Sequence, residues 1–335
     1  MIKRPTIADV AQAAGVSPQT VSRAINNKGE ISAETKERIM EIARQLGFRP
    51  SNIARSLVKQ QTTTIGIVIP DITNPFFSEI VRGVEDLAHL HSYNVFLCNT
   101  DEVPERELSS IDSLLEKQVD GVILCSSRLE EVELASKLKE FPFAVLINRE
   151  IEEIPEKVRV ISFDDRLGMC MAVTHLVQRG HRHIAFLAGP ERSRSGQKRL
   201  SGYYSCLKDN GISIDPGLVN FCEPSFEGGL HTLQKLLDAH PEVTAVLCYN
   251  DLVAIGAIRE ILTRNLSIPA DLSVIGFDDI PMAALVHPPL TTLRMPKREV
   301  GVIAMKILID LVEGNHPTEY NKIFLPELII RGSTN

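Results

Sequence analysis

Gln19, Thr20, Ser22, Arg23 and Asn26 crowd amide, hydroxyl and guanidinium groups into one short stretch. Such donors suit phosphate oxygens and base edges. Their spacing fits a helix that turns Val21 and Ile25 inward. Ser17 is a natural N-cap for it, and Pro18 fits the first helical position, which needs no N–H. Another helix precedes it, with Ile7, Val10 and Ala11 at i, i+3, i+4 spacing. Between them, Ala13-Ala14-Gly15-Val16 is small enough for a close turn, with Gly15 free to take positive φ. Residues 6–26 therefore predict a helix-turn-helix whose second helix faces DNA. Gln19 and Arg23 are the expected base readers, with Pro18 as an apolar edge. Thr6, Ser17, Thr20 and Asn26 are expected on phosphates. The plainer alternative is a small helical hairpin with a solvated polar face.

A third amphipathic helix over 34–46 completes a small core. Ile39, Ile42, Ala43 and Leu46 share one face, Ser32 is the N-cap, Gly47 the stop, and Phe48 closes the cluster. Arg49-Pro-Ser-Asn-Ile-Ala-Arg-Ser-Leu57 follows. Here the chain resembles the LacI/GalR family of bacterial transcription regulators. That family's headpiece carries the run T-I-x-D-V-A-x-x-A-G-V-S-x-x-T-V-S-R, matched at 6–23. It also carries a P-N-x-x-A-R-x-L hinge, matched here with Ser51-Asn52 after Pro50. The resemblance implies a hinge helix over about 51–58, too short to be stable alone in water. It would order where two copies meet in the minor groove, with Ala54 and Leu57 against DNA and Leu57 wedged into a base step.

The whole chain carries a formal charge of −7, which taken alone argues against a nucleic-acid partner. The charge is uneven: residues 1–60 hold 10 Lys/Arg against 5 Asp/Glu, leaving −12 on the remainder. A basic head on an acidic body suits a protein that meets phosphate with one end. Cys98, Cys125, Cys170, Cys206, Cys222 and Cys248 lack C-x-x-C spacing and mostly lie in apolar runs. Reduced core thiols are expected, rather than disulfides or a metal site. Lys3, Arg4 and Asp9 interrupt any apolar leader, and no run of apolar residues is long enough to span a membrane. A cytoplasmic protein without membrane contact, metal or cofactor is expected.

From residue 62 short apolar runs alternate with helical patterns. Strands are expected at 65–69, 95–98, 121–125, 144–147, 183–187, 245–248 and 274–277. Helices are expected at 77–90, 105–117, 230–239, 251–263 and 298–312. Buried strands alternating with helices predict doubly wound parallel sheets, and the length suggests two similar lobes. The fold class is thus α/β, with a helix-turn-helix headpiece at 1–61 and a two-lobed body at 62–335. The resemblance implies that this body is periplasmic-binding-protein-like. Its lobes would take about 62–161 plus 293–322, and 163–290 plus 323–335. The chain would cross between them near 161–164, 290–293 and 321–325, and a ligand would sit in the cleft at the strand ends.

Family positions then single out Asp71, Asn74, Phe76, Phe77, Asn148, Arg149, Arg199, Asn250 and Asp278 as effector contacts. Aromatic rings cover the apolar faces of a sugar, while amides and charges take its hydroxyls. Plainer readings stand beside these: Phe76 or Phe77 as core, Asp251 as a helix N-cap, Asp165 as a cap for the helix entering at Gly168. His181-Arg182-His183 has the look of a metal pair but matches the family's strand-entry segment. Asn148 stands where many relatives carry Asp, Pro224 where an aromatic often covers the ligand, and Met295 where Gln is frequent. Asn148 and the ending Glu327–Thr334 also resemble the cytidine-repressor branch of the family, which makes a nucleoside as defensible as a free pentose or hexose.

No phosphate-binding loop, dinucleotide loop or nucleophile elbow is present, so no enzyme is expected. The expectation is a transcriptional regulator, a repressor by resemblance, under the control of a small ligand. It would bind near-palindromic double-stranded DNA as a homodimer, protein symmetry mirroring the site. The end at Asn335, without a leucine-heptad tail, points to a dimer rather than a tetramer. The alternatives are a solute-binding protein, or a catabolite-control regulator answering to a phosphocarrier protein.

Overall fold

A computed structural model describes residues 5–26, 29, 31–48, 61–315 and 322–334. By its contacts the chain divides into two units, Met1–Thr62 and Thr63–Asn335.

In the first unit α1 (Ile7–Ala14), α2 (Pro18–Ile25) and α3 (Ala33–Gln45) enclose Val10, Ala11, Ala14, Val21, Ala24, Ile39 and Ala43. A capping box opens α1: the Asp9 N–H donates to Thr6 Oγ1 (3.3 Å) and the Thr6 N–H to the Asp9 carboxylate (2.7 Å). Gly15, at φ 65, ends α1 in the left-handed conformation that a side chain would oppose. Ser17 Oγ accepts the Thr20 N–H at 3.1 Å, and Pro18 takes the first helical position of α2. Leu46 departs from expectation. It lies past the end of α3 and is exposed, while Phe48 turns back so that its N–H donates to the Ala43 carbonyl (2.8 Å).

The second unit begins with β1 (Thr64–Ile69), α4 (Pro75–Leu90), β2 (Asn94–Asn99), α5 (Pro104–Glu116) and β3 (Gly121–Cys125). It continues through α6 (Glu131–Leu138), β4 (Ala144–Ile147), β5 (Val158–Phe163), α7 (Asp165–Gln178), β6 (Ile184–Ala188) and α8 (Arg194–Asp209). Then come β7 (Val219–Phe221), α9 (Phe226–Ala239), β8 (Ala245–Cys248), α10 (Asp251–Thr263) and β9 (Ser273–Asp278). The last elements are β10 (Thr291–Arg294), α11 (Lys297–Val312), β11 (Lys322–Phe324) and β12 (Glu327–Ile329).

Two six-stranded sheets result, in the orders β11-β5-β4-β3-β1-β2 and β12-β10-β9-β8-β6-β7. All neighbours are parallel except β10 and β12. The central strands are buried along their length, as strands covered on both faces must be. On the first sheet α11 lies against α4 with almost no space between backbones. A Cβ on Gly301 would fall 2.0 Å from the Ile80 carbonyl oxygen, and one on Gly83 2.1 Å from that of Arg298.

The chain passes between the sheets three times: after β5, after β10 and after β11. The second passage falls later than 290–293, because β10 pairs with β9 in the second sheet and carries the chain to Arg294. The third falls after Phe324, since Ile323 and Phe324 pair with β5 in the first sheet.

The cysteines need a correction. Cys170 on α7 and Cys206 on α8 are joined as a disulfide, their Cα atoms 5.4 Å apart. They meet across a helix–helix contact that a separation of 36 residues conceals in the sequence. Cys98, Cys125, Cys222 and Cys248 are free thiols. No helix among the described residues is long and apolar enough to cross a membrane.

Candidate functional site

Helix α2 presents Pro18, Gln19, Arg23 and Asn26 to solvent, with Thr20 and Ser22 half-buried. Several of these polar groups already have internal partners. The Ser17 and Thr20 hydroxyls lie 2.9 Å apart, and Asn26 Nδ2 donates to the Ser22 carbonyl at 2.9 Å. The Thr6 hydroxyl donates to Asp9 at 2.7 Å, which sets a carboxylate beside the start of α1. Gln19 and Arg23 make no side-chain hydrogen bond to any described residue. Their donors remain available for a base edge, which the committed caps are not. Ala54 and Leu57 lie outside the described residues.

In the second unit the C-terminal ends of both sheets meet around a narrow cleft of about 20 Å³. Asn74, Phe76, Phe77, Asn148, Arg199, Asn250 and Asp278 line it together. Glu102, Ser126, Ser195, Pro224 and Tyr249 also line it; of these the sequence reading had weighed only Pro224, and that as a departure. Asn74 caps α4, its Oδ1 accepting the Phe76 N–H at 2.9 Å. The rings of Phe76 and Phe77 meet edge to face at 5.1 Å, both buried. They are core and cleft wall at once. Asn250, not Asp251, caps α10: its Oδ1 accepts the Val253 N–H (2.9 Å) and its Nδ2 donates to the Pro224 carbonyl (3.2 Å).

Two expected contacts stand apart from this lining. Asp71 folds onto its own loop, accepting from the Thr73 N–H and hydroxyl at 2.8 and 2.7 Å. Arg149 is buried behind β4, with Nη2 donating to the Leu129 carbonyl at 2.9 Å and Nε and Nη1 without partners. Burial, followed by the nearby Arg194 charge, lowers its pKa.

Asp165 also needs correcting. The cap of α7 is Asp164, whose carboxylate accepts the Leu167 N–H at 2.9 Å. Asp165 is fully buried and receives Arg199 Nε at 2.8 Å. Arg199 is the centre of the cleft. It also donates to the Tyr249 carbonyl, lies 3.9 Å from Asp278 Oδ1, and stacks 3.6 Å over the Phe277 ring. Burial pushes the Asp165 carboxyl up, against the pull of Arg199 and the Asn148 amide. An acid at 148 would set two carboxyl groups against each other; the amide instead offers a donor. Burial likewise pushes the Asp278 pKa up to about 7, opposed by Arg199 and Lys297.

Behind the cleft, Asp251 is buried and accepts from the Ile280 N–H (2.8 Å) and the Thr292 hydroxyl (2.6 Å), bracing the loop after β9. In that loop the Asp278 and Asp279 carbonyls both accept from Lys297 Nζ at the start of α11. Asp279 receives Arg294 at 2.7 Å and Arg331 at 2.6 Å. A wider, solvent-open depression of about 450 Å³ lies near Glu79, Lys297, Arg298 and Arg331. Its mixed charges suit a ring of hydroxyls less well than the amides and aromatic rings that converge on the narrow cleft. His181 bonds the Thr244 and Ser273 hydroxyls through its two nitrogens, which ties strand entries together.

With this geometry, comparison with known proteins is direct. The profile described as "Bacterial regulatory proteins, lacI family" matches residues 6–51. That described as "Periplasmic binding proteins and sugar binding domain of LacI family" matches 62–324. The chain belongs to the LacI family of bacterial regulatory proteins. It is a DNA-binding transcriptional regulator, which sets aside the reading as a transporter's solute-binding protein.

The HTH-type transcriptional repressor CytR of Escherichia coli (strain K12) is 37% identical over 329 residues, 98% of this chain and 96% of that protein. Catabolite control protein A of Priestia megaterium is 34% identical, covering 90% of this chain and 91% of its own length. A lac repressor dimer solved with operator and the anti-inducer ONPF superimposes with a TM-score of 0.86 at 29% identity, covering 99% of each chain.

Proposed function

We propose that this protein represses transcription by binding a near-palindromic operator as a homodimer. A polyhydroxylated small molecule between the two sheets, a sugar, sugar derivative or nucleoside, controls that binding. The observation that carries this reading is the enclosed polar cleft supplied from both sheets. Asn74, Phe76, Phe77 and Asn148 come from one side, and Arg199, Asn250 and Asp278 from the other. A ligand that touches both lobes shifts the balance between their arrangements by its differential affinity. Asp71 and Arg149, which lie outside this lining, stay in the set on family resemblance alone.

Residues 1–61 are the DNA-binding domain in this reading, and 62–335 the effector-binding and dimerisation domain of a cytoplasmic protein. Pro18, Gln19 and Arg23 read bases. Thr6, Ser17, Thr20, Ser22 and Asn26 position the backbone, and Ala54 and Leu57 complete the set on family resemblance. The lac repressor dimer with operator, and the sugar-binding description of the body's family, support the assembly and the ligand class.

A thermal-shift screen of sugars, sugar phosphates and nucleosides tests it, since a ligand that favours the folded state raises its melting temperature. The effector shifts the wild type, and Asp278→Ala folds but loses the shift. Unchanged affinity in Asp278→Ala overturns its assignment. A screen blank throughout overturns the small-ligand reading and leaves a protein partner of the phosphocarrier kind.

A further inference from the structure

The Cys170–Cys206 bond lies between the two helices that carry the buried cleft pair. Asp165 is the first residue of α7, with Cys170 five residues further along that helix. Arg199 lies on α8, with Cys206 seven residues further on. The link is therefore only about 7 to 11 Å along each helix axis from the ion pair. The two helices are packed closely as well: a Cβ on Gly202 would fall 2.6 Å from the Arg166 carbonyl oxygen. Any slide of α7 along α8 therefore moves Asp165 against Arg199.

We propose that Cys170 and Cys206 form an oxidation site, where hydrogen peroxide converts a dithiol into the disulfide and locks the cleft pair in register. The proposal rests on the regulatory reading only for its starting state. A protein acting on bacterial DNA works in a reducing compartment, where disulfides are transient and sensing rather than structural. What separates this pair from the other thiols is that its two sulfurs lie within bonding reach, whereas Cys98, Cys125, Cys222 and Cys248 are free. Within the pair Cys170 is half-buried and Cys206 buried, so an oxidant meets Cys170 first. Moreover, the lobe does not need the bond to cohere, because Met169, Val173, Tyr203 and Leu207 already belong to its apolar core.

The chemistry balances with the peroxide as sole oxidant. The Cys170 thiolate attacks a peroxide oxygen; the O–O bond breaks, the leaving oxygen departs as water, and Cys170 becomes a sulfenic acid. The Cys206 thiolate then attacks the Cys170 sulfur, the S–O bond breaks, and a second water leaves. Two thiols have lost two electrons and two protons, and one peroxide has become two waters. A dithiol reverses the step by exchange.

The test uses the full-length protein, reduced with dithiothreitol, desalted and then given one equivalent of hydrogen peroxide. Alkylation and mass spectrometry are expected to find a Cys170–Cys206 cross-link, with Cys98, Cys125, Cys222 and Cys248 still alkylated. Dithiothreitol should reopen the link in the folded protein. Amide hydrogen exchange over residues 166–173 and 199–206 should be roughly tenfold slower in the oxidised form. Cys206→Ser should keep the reduced rate under both conditions, and the wild-type comparison stands should that variant fail to fold. Absence of the cross-link after peroxide, its persistence in dithiothreitol, or equal exchange in both states overturns the proposal. None of these measurements involves DNA or an effector, so their failure is distinct from failure of the regulatory reading.

Discussion

Gln19 and Arg23 differ from their neighbours on α2 in one respect: their polar groups are not committed to the helix. Ser17, Thr20 and Asn26 close hydrogen bonds within the turn of chain they occupy. Gln19→Ala or Arg23→Ala should therefore cost about 1–3 kcal/mol at the specific site and blur selectivity at one position per half-site. Competition binding against a set of operator variants checks this; wild-type preference in Gln19→Ala would remove it from base reading. In the cleft, Asp278 titrates near 7 folded against 3.8 as a free side chain, because burial disfavours its charge. The folded state then holds a proton that the unfolded state has released, so this group's contribution to stability is lost as pH rises from about 4 through 7. Relative to wild type, ligand-free Asp278→Asn should gain melting temperature between pH 5 and pH 8, read by calorimetry. Asp165 shows what a sequence hides at this scale. A carboxylate at a helix start satisfies the local capping rule, and only the fold brings Arg199 to it from 34 residues away.

Elements with local signatures were legible, and those shaped by distant partners were not. The caps and turn of α1 and α2 rest on Thr6, Gly15, Ser17 and Pro18, all within a few residues of what they do. Strands β1, β3, β4, β8 and β9 are apolar runs because helices cover their sheets on both faces. In contrast α7 buries Asp165 and His175 and leaves Leu167 exposed, so its apolar residues do not follow its buried face and no amphipathic period is legible. Helix α8 turns Ser195 and Arg199 inward, the reverse of the usual pattern. Strands β10, β11 and β12 are too short to show a period, and β11 exists only by pairing with β5, far back in the sequence. The α4–α11 contact offers a test of packing at this scale. With the Ile80 carbonyl 2.0 Å from any Cβ at 301, Gly301→Val must force the helices apart. A loss of about 1–3 kcal/mol is expected from overpacking, measured as a lower urea midpoint at unchanged slope.

At the scale of the whole molecule, residues near the end of the chain hold the second lobe together. Ser333 Oγ donates to the Val274 carbonyl (2.6 Å) and accepts the Thr291 N–H (2.8 Å). Thr334 meets the His175 ring at 3.0 Å. Burial, then the charges of Arg179 and His181, hold the His175 pKa down at about 4. The unfolded chain therefore takes up a proton between pH 6.5 and about 4 that the folded one refuses, and stability falls as pH falls through that window. His175→Gln should lose less stability than wild type between pH 7 and pH 5, compared by urea melts at the two values. An equal loss would show that this ring does not set the acid limit.

The return of the chain to both sheets also bears on the order in which a ribosome delivers them. Strand β11 borders the first sheet and β12 the second, although every other strand of either sheet precedes residue 295. Helix α11, which covers the first sheet, arrives only after β10 of the second. A nascent chain thus cannot finish one lobe before beginning the other. Both wait, with an edge unpaired, for the same few residues around 322–329. Such open strand edges are the surfaces by which chains pair wrongly. Closure of the two lobes is therefore completed together from the carboxyl side, and a chain stalled before residue 322 leaves an edge open in both.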